Sequence, residues 1–577
     1  MNELVIPDPR DDKARYVSNA WVSFNNARLQ WLADTNDTRS YVSAKSTADT
    51  EVGQLPWKNK TTIPKLTQIS DNLQSYYMAA LMPNEDWFRW EGRDEESHVK
   101  ANIIELYMQT KLRMSNFRQE LEKMVRDWII YGNCFGSVVW VEDVGKSLRT
   151  GEEIVNYIGP KLYRLSPLDA VINPRARSFK ESPIIFRKLY SIGEFIDRYG
   201  SDTNVLELHG SGESEMQDWY RENNLQIDGF ADIDDYLTSN MIEVIEYWGD
   251  IVSDGELYKN RKIIIADRSF TISDEPNPSW SGEKPFVHCG WRTLTDNVYG
   301  QSPLENLVGM QYRCDHLENL KADAFDQIVH PMMKIKGDSV EEFTFGPNQK
   351  IRCGIDGDVE FLRPDTSVLA CNNEIAIYHQ LMEQMAGSPK ESMGFRTAGE
   401  KTAFEVSVLQ QGADRMFQDK LNHFEEFIIR PLLNMMFEML MRNLNIADVA
   451  RSFNDTDKTL QILSLTKEDV VADGILHPTG AKYFADRNKR VQELSTFLQM
   501  MASPQIAPHA SGYKAAKAIE EELGFESYEI IEPNIGVIEQ IQTQLVAQQM
   551  QQQMGGVNDT NAEQPAGEGN PNPEGNM

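Results

Sequence analysis

Two kinds of apolar spacing alternate along the chain, and the places where one gives way to the other outline its organisation. Near the start, Val17, Trp21, Phe24 and Trp31 fall on one helical face, followed by a polar stretch from Thr35 to Gly53. Leu66, Ile69, Leu73, Tyr76 and Ala80 recur at steps of three and four after Pro64, which predicts a helix with proline at its first turn. That helix should stop at Pro83, and Trp87-Phe88-Arg89-Trp90 reads as a short strand. Two further helices are expected between Ser97 and Tyr131. Gly132 ends them, and the run from Cys134 to Val141 is β-rich. From Tyr157 to Phe286 the pattern is mixed, with strand-like pieces at Ile242–Trp248 and Lys262–Ala266 and turn signals such as Asn173-Pro174 and Asp254-Gly255.

The middle of the chain is more regular. Ser302-Pro303-Leu304-Glu305 spells a helix start: the Ser302 hydroxyl can accept from the N–H three residues on, Pro303 needs no N–H there, and Glu305 can reach back to the cap. Met310, Cys314, Leu317, Ala324 and Ile328 then share one face until Pro331. Residues 331–364 look different, with four glycines, short β-type pieces (Met332–Ile335, Glu342–Phe345, Val359–Leu362) and five basic against six acidic residues. Helical spacing returns with Cys371, Ile375, Tyr378, Met382 and Met385, so a small β module sits between two helices. A Gly/Ser/Thr-rich segment, 387–401, carries Lys390, Arg396 and Lys401. A second capping box, Thr402-Ala403-Phe404-Glu405, opens a long helical pattern that runs to about Leu444, within which Pro431 should produce a kink. Helical segments are expected again at Gly480–Met501 and Tyr513–Leu523. The last 23 residues, from Gly555, hold no Lys, Arg or aromatic and should be disordered.

Charge changes this picture in one respect. The 577 residues carry 88 Asp and Glu against 57 Lys and Arg, a formal net charge of −31, which excludes a protein that grips nucleic acid phosphates on a basic surface. Fifteen of those acids and a single cation, Arg221, fall between Ser201 and Tyr258. That stretch reads either as a solvated insertion or as a surface that repels a polyanion or attracts a basic partner. No apolar run is long enough to span a membrane, the first residues do not resemble a secretion signal, and the five cysteines have no paired spacing, as expected for reduced thiols.

Catalytic chemistry is hard to find. Gly394-Phe395-Arg396-Thr397-Ala398-Gly399-Glu400-Lys401-Thr402 approaches a phosphate-binding loop, but Glu400 displaces the lysine and sets a carboxylate against the anion. Ile263-Ile264-Ile265-Ala266-Asp267 resembles an acidic Mg²⁺-holding strand, yet it precedes the loop. The histidines lack metal-ligand spacing, and His316 is expected to be solvated. Asp356-Gly357-Asp358 lacks the further oxygens of a calcium loop. The residues therefore predict no enzyme and no cofactor.

The order of parts resembles the portal proteins of tailed bacteriophages, in particular the head-to-tail connectors of short-tailed phages. The supporting stretches are colinear: Pro56-Trp57; Leu81-Met82-Pro83 with Trp87-Phe88-Arg89; Gly132-Asn133 before a strand; Lys161-Leu162-Tyr163-Arg164-Leu165-Ser166; Tyr299-Gly300-Gln301-Ser302 leading to Leu317-Glu318-Asn319-Leu320; and Glu400-Lys401-Thr402-Ala403 with Glu405. The resemblance covers about residues 50 to 545. It implies a mainly helical α+β chain with a wing (1–301 and 402–444), a two-helix stem (302–330 and 365–386), a clip (331–364), a tunnel loop (387–401), a helical crown (445–554) and a disordered tail (555–577). It implies a dodecameric ring at one capsid vertex of the virion, assembled in the host cytoplasm with capsid and scaffold proteins, through which double-stranded DNA is packaged and ejected. The tunnel loop, with Lys390, Arg396 and Lys401, would face the DNA. The clip, with Glu341, Glu342, Lys350 and Arg352, would dock terminase and then tail or adaptor proteins. A DNA-packaging ATPase built on the near-miss loop, and a non-portal capsid or collar component, are the alternatives.

Overall fold

The computed structural model describes residues 12–44, 59–83, 87–146, 151, 153–200, 241–253, 255–279, 282–293, 295, 297–329, 332–337, 352, 355–362, 370–387, 416–443, 448–454, 459–465 and 467–479. Met1–Ser452 and Gln461–Phe484 form one compact unit; Phe453–Leu460 and Ala485–Met577 form a second, of which four strand residues are described. The described residues mix helix and strand, about 50% and 30%.

Helices α1 (Asp12–Ala27) and α2 (Leu29–Val42) divide the first apolar stripe at Arg28. The Arg28 guanidinium is buried and donates to the carbonyl oxygens of Pro167 and Ala170 (both 2.8 Å) and Leu168, and to Asn25 Oδ1 at 3.1 Å. One side chain thus anchors both helices to the sheet region. Helix α2 runs to Val42, well into the polar stretch that begins at Thr35. Thr35 and Thr38 are buried there, and Thr38 Oγ1 returns its proton to the Asp34 carbonyl at 2.9 Å.

An antiparallel sheet in the order β4 (Ala170–Ile172), β5 (Ile184–Ser191), β6 (Met241–Ser253), β7 (Glu256–Ala266), β8 (Phe270–Pro276) packs one face against α1, where Val17 and Trp21 meet Ile185, Ile245, Ile263 and Ile265. Asp267 and Arg268, with φ of 42° and 62°, are the left-handed central pair of the turn from β7 to β8, a three-residue connection in which Ser269 N donates to the Ala266 carbonyl at 3.0 Å. Asp267 therefore sits in an antiparallel hairpin, not at the end of a parallel strand beside a nucleotide.

Four of the fifteen acids of 201–258, Glu243, Glu246, Asp250 and Glu256, lie on described strands, and Glu243 is not solvated at all. Fully buried, it accepts from Arg187 Nε at 3.0 Å, Arg268 Nε at 2.8 Å and Arg268 Nη2 at 3.1 Å. Arg187 also reaches Asp169 at 2.8 Å. A carboxylate this dry persists because two guanidiniums fill its lone pairs. Composition read it as surface because its partners lie 56 and 25 residues away.

A second sheet, β3 (Glu153–Leu165), β2 (Asn133–Lys146), β9 (Phe286–Gly290), borders the main core. That core joins α3 (Lys65–Leu81), α4 (Ala101–Met114), α5 (Phe117–Ile130) and the long helical run 416–443. Trp128 stands at its centre, with ring centroids of Trp291, Phe424 and Tyr77 at 4.3, 4.8 and 5.4 Å. Strand β1 (Phe88–Gly92) forms as expected, and its partner is β12 (Gly474–Pro478), with Trp90 opposite Leu476. Of the stretch assigned to the crown, Asp448–Asn454, Thr459–Leu465 and Gly474–Pro478 are strand, and the helices expected at Gly480–Met501 and Tyr513–Leu523 lie outside the described residues.

Candidate assembly interface

The expected stem begins at a lock made by two of the quoted stretches. Asn133 Oδ1 accepts from Gly300 N at 2.8 Å and faces His288 Nε2 at 3.0 Å, while Asn133 Nδ2 donates to the Gly300 carbonyl at 2.9 Å and the Tyr131 carbonyl at 3.2 Å. The chains approach so closely that a Cβ on Gly132 (φ 68°) would lie 2.4 Å from the Gln301 carbonyl carbon, and one on Gly300 would lie 2.6 Å from the Gly132 oxygen. The sequence marked Gly132-Asn133 and Tyr299-Gly300-Gln301-Ser302 separately; folding joins them. His288 is buried here, and desolvation holds its imidazole far below the usual value, at about 3.

Ser302 departs from its expected role. Its hydroxyl donates to the Ile129 carbonyl at 2.7 Å and accepts from Leu304 N at 3.0 Å, two residues on rather than three. The Glu305–Leu307 turn is 3₁₀, and the α-helix, α7, spans Val308–Val329. Glu305 does reach back to the Ser302 N–H. Burial, with Asp34 nearby, still pushes its carboxyl above the ordinary value.

The buried side of α7 is also unlike the apolar stripe predicted for it. Cys314 and Leu317 are buried, but so are Gln311, Asp315 and Asn319. These polar groups clasp the extended segment 59–63. Gln311 Nε2 donates to the Ile63 carbonyl (2.5 Å), and Asp315 Oδ1 accepts from Ile63 N (2.9 Å). Asn319 accepts from Thr61 N (2.7 Å) and returns a bond to its carbonyl (3.1 Å), and Asp323 Oδ1 accepts from Asn59 N (3.0 Å). Four helical residues rise about 6.0 Å and two extended residues about 6.6 Å, so the rungs Asp315, Asn319 and Asp323 meet the alternate strap residues Ile63, Thr61 and Asn59, while Gln311 shares Ile63 with Asp315. The signal was present as Gln-x₃-Asp-x₃-Asn-x₃-Asp, but polar residues at that spacing ordinarily mark a solvated face.

Helix α8 (Asn372–Met385) returns beside α7, with Lys321 Nζ donating to Asn372 Oδ1 at 3.1 Å. Ile375, Met382 and Ala386 are buried, and Glu383 pairs with Lys65 at the start of α3. Met385, expected on the same face, is instead exposed, as are Ile377 and Leu381. Across the arm, Phe325 and Val329 on α7 and Met332, Ile335 and Phe361 on the hairpin β10 (Met332–Lys336) and β11 (Asp358–Leu362) are exposed too. The hairpin is a two-stranded sheet in which almost every side chain faces solvent, a unit that is marginal alone. His316 is half-buried against the Tyr312 ring rather than fully solvated, and burial lowers its pKa.

Of the residues expected to act, Lys390, Arg396, Lys401, Glu341, Glu342 and Lys350 lie outside the described residues, and Arg352 is exposed. Pro431 lies in the helix α9 (Arg430–Asn443), directly after a π turn, Glu425–Ile429. The wider turn gives room where the ring would otherwise clash with the preceding carbonyl. Among the described residues no group of His, Cys, Asp and Glu has metal-site geometry, and no helix is long and apolar enough to cross a membrane. No protein-family model matches the chain, and no curated protein sequence matches it.

Proposed function

We propose that this chain is a phage portal protein that assembles into a ring around a DNA channel and performs no catalysis itself. The observation that carries the reading is the arm formed by α7, the β10–β11 hairpin and α8. It is anchored at its base by the Asn133 lock, the 59–63 strap and the Lys65–Glu383 pair, and both its helices and its strand pair bear exposed apolar side chains. Monomers seldom leave such a surface open. Identical neighbours around a ring would cover it, each arm packing on the next. The net charge of −31 fits the same reading, because a channel that DNA must slide through is served by walls that do not hold phosphates. Lys390, Arg396 and Lys401 would supply brief contacts, and the clip around Arg352 would receive terminase and then tail or adaptor proteins.

Electron microscopy of the purified chain tests this directly. Closed rings with a central hole are expected, together with no binding of ATP. Monodisperse monomers across the micromolar range, or saturable nucleotide binding, would defeat the proposal.

A further inference from the structure

Where α2, α3 and α5 meet lies a pocket of about 430 Å³ that no part of the portal reading uses. That is within the roughly 300–1,000 Å³ of small-molecule sites. One wall is fixed by Thr67 Oγ1, which donates to the Val42 carbonyl, and Ala44 turns the chain out of α2 with a φ of 52°. Arg39 reaches the pocket from α2, Arg126 from α5, and Tyr131 from just beyond α5.

The two arginines are exposed and Tyr131 is half-buried. Among the described residues, neither guanidinium makes a hydrogen bond or ion pair, and the Tyr131 hydroxyl makes no hydrogen bond. Of the charged groups that act most strongly on this hydroxyl, three are cations, Arg39, Arg164 and Arg126, and one is an anion, Asp127. Asp127 is already matched by Arg164, which grips it at 2.5 and 2.8 Å. Two positive charges are therefore left around one hydroxyl, in a protein with 31 more acids than bases. Arg39 also suits the last turn of α2, where a cation is favoured. That accounts for one arginine, but not for two converging from different helices. Like charges brought together repel unless an anion joins them. Burial raises the Tyr131 pKa against the pull of the arginines, so the hydroxyl stays a proton donor. No side chain caps the start of α3, whose positive end adds to the field beside Pro64 and Thr67.

We propose that this pocket binds a phosphate group, clamped between the Arg39 and Arg126 guanidiniums with the Tyr131 hydroxyl as a third donor. Donors arriving from separate elements suit a tetrahedral oxyanion, whose oxygens point several ways, better than a flat carboxylate. The phosphate comes either from a free phosphate compound or from a DNA backbone. A single clamped phosphate needs no basic track, so the site is compatible with the acidic whole. The proposal does not depend on ring formation, so either can fail without the other.

The test is calorimetric titration of the full chain with inorganic phosphate, with acetate as the carboxylate control and a short DNA duplex as competitor. Saturable, salt-sensitive phosphate binding in the millimolar range is expected. Arg39→Gln with Arg126→Gln should weaken it by about tenfold, and Tyr131→Phe by less, while the unfolding midpoint without phosphate stays unchanged. Duplex that displaces phosphate identifies the backbone as its source; duplex that does not identifies a free phosphate compound. ATP that the double variant no longer binds is held here by its phosphates, which tells this pocket apart from a nucleotide site elsewhere. No phosphate binding, equal binding of acetate, or binding untouched by the double variant would each overturn the proposal. So would binding that appears only after Asp49→Asn with Glu51→Gln, two acids outside the described residues, because the chain would then supply its own anion.

Discussion

The sheet body and the helical arm use their side chains in opposite ways. In the body, charged residues are buried and completed: Glu243 holds two arginines and Arg28 fills four oxygens, each within the same chain. In the arm, apolar residues such as Phe325, Ile377 and Leu381 face solvent. The body is a finished object; the arm has the composition of half an interface. Under the proposed ring, the difference would separate the part of the molecule that folds for itself from the part that neighbouring copies bury.

Breaking the body should cost most. Glu243→Gln removes the buried carboxylate that Arg187 and Arg268 share, leaving Arg187 its contact with Asp169, and a loss of about 3–5 kcal/mol is expected by denaturant unfolding. Replacing all three by apolar residues should recover most of it; no recovery would mean that the cluster stabilises in its own right. Asn133→Ala removes four hydrogen bonds and strands both polar groups of Gly300, for an expected loss of about 2–4 kcal/mol.

The buried imidazole gives a smaller, pH-dependent effect. With His288 held near 3 in the folded chain against 6.5 unfolded, the unfolded state binds the extra proton. Stability is thus complete above pH 6.5 and falls toward pH 3, at up to about 1.4 kcal/mol per pH unit. Asp127 works in the other sense: burial outweighs its bidentate contact with Arg164 and pushes its carboxyl up to about 6, so the folded state gains the proton between about pH 4 and 6. The His288 contribution is therefore read as the difference between the wild type and His288→Asn, which should shrink steadily from pH 6.5 to 4. A difference independent of pH would contradict the buried neutral imidazole.

The arm should show the reverse profile. Ile377→Ser with Leu381→Ser is expected to change monomer stability by no more than about 0.5 kcal/mol while abolishing rings in electron micrographs. If the same pair instead unfolds the chain, the arm belongs to the body and the contrast disappears.

Periodicity was enough for the framework. The Lys65–Leu81 helix, the strand at Trp87–Trp90, the β-rich run after Gly132, and the helix–module–helix insertion could all be read from spacing, because each is set by neighbours along the chain. What escaped was polar and distant. Gln311, Asp315 and Asn319 look like a wet face until the strap some 250 residues earlier is laid on them, and Glu243 looked like one acid in an acidic stretch. Met385 continued a helical stripe that the core does not follow. Hydrophobic pattern reports which face turns inward, and says nothing of polar partners that sequence separation hides.

The strap and its helix also behave as a vernier. The two repeats differ by about 0.6 Å per rung, and positions four apart rotate about 40° around the helix axis. A match that is good at one rung has slipped by nearly 2 Å three rungs later. A clasp of this kind is self-limiting: it holds a handful of residues in one register and cannot be lengthened by adding more of the same. In this chain the extended run ends at Ile63, and Pro64 and Lys65 lead directly into the next helix.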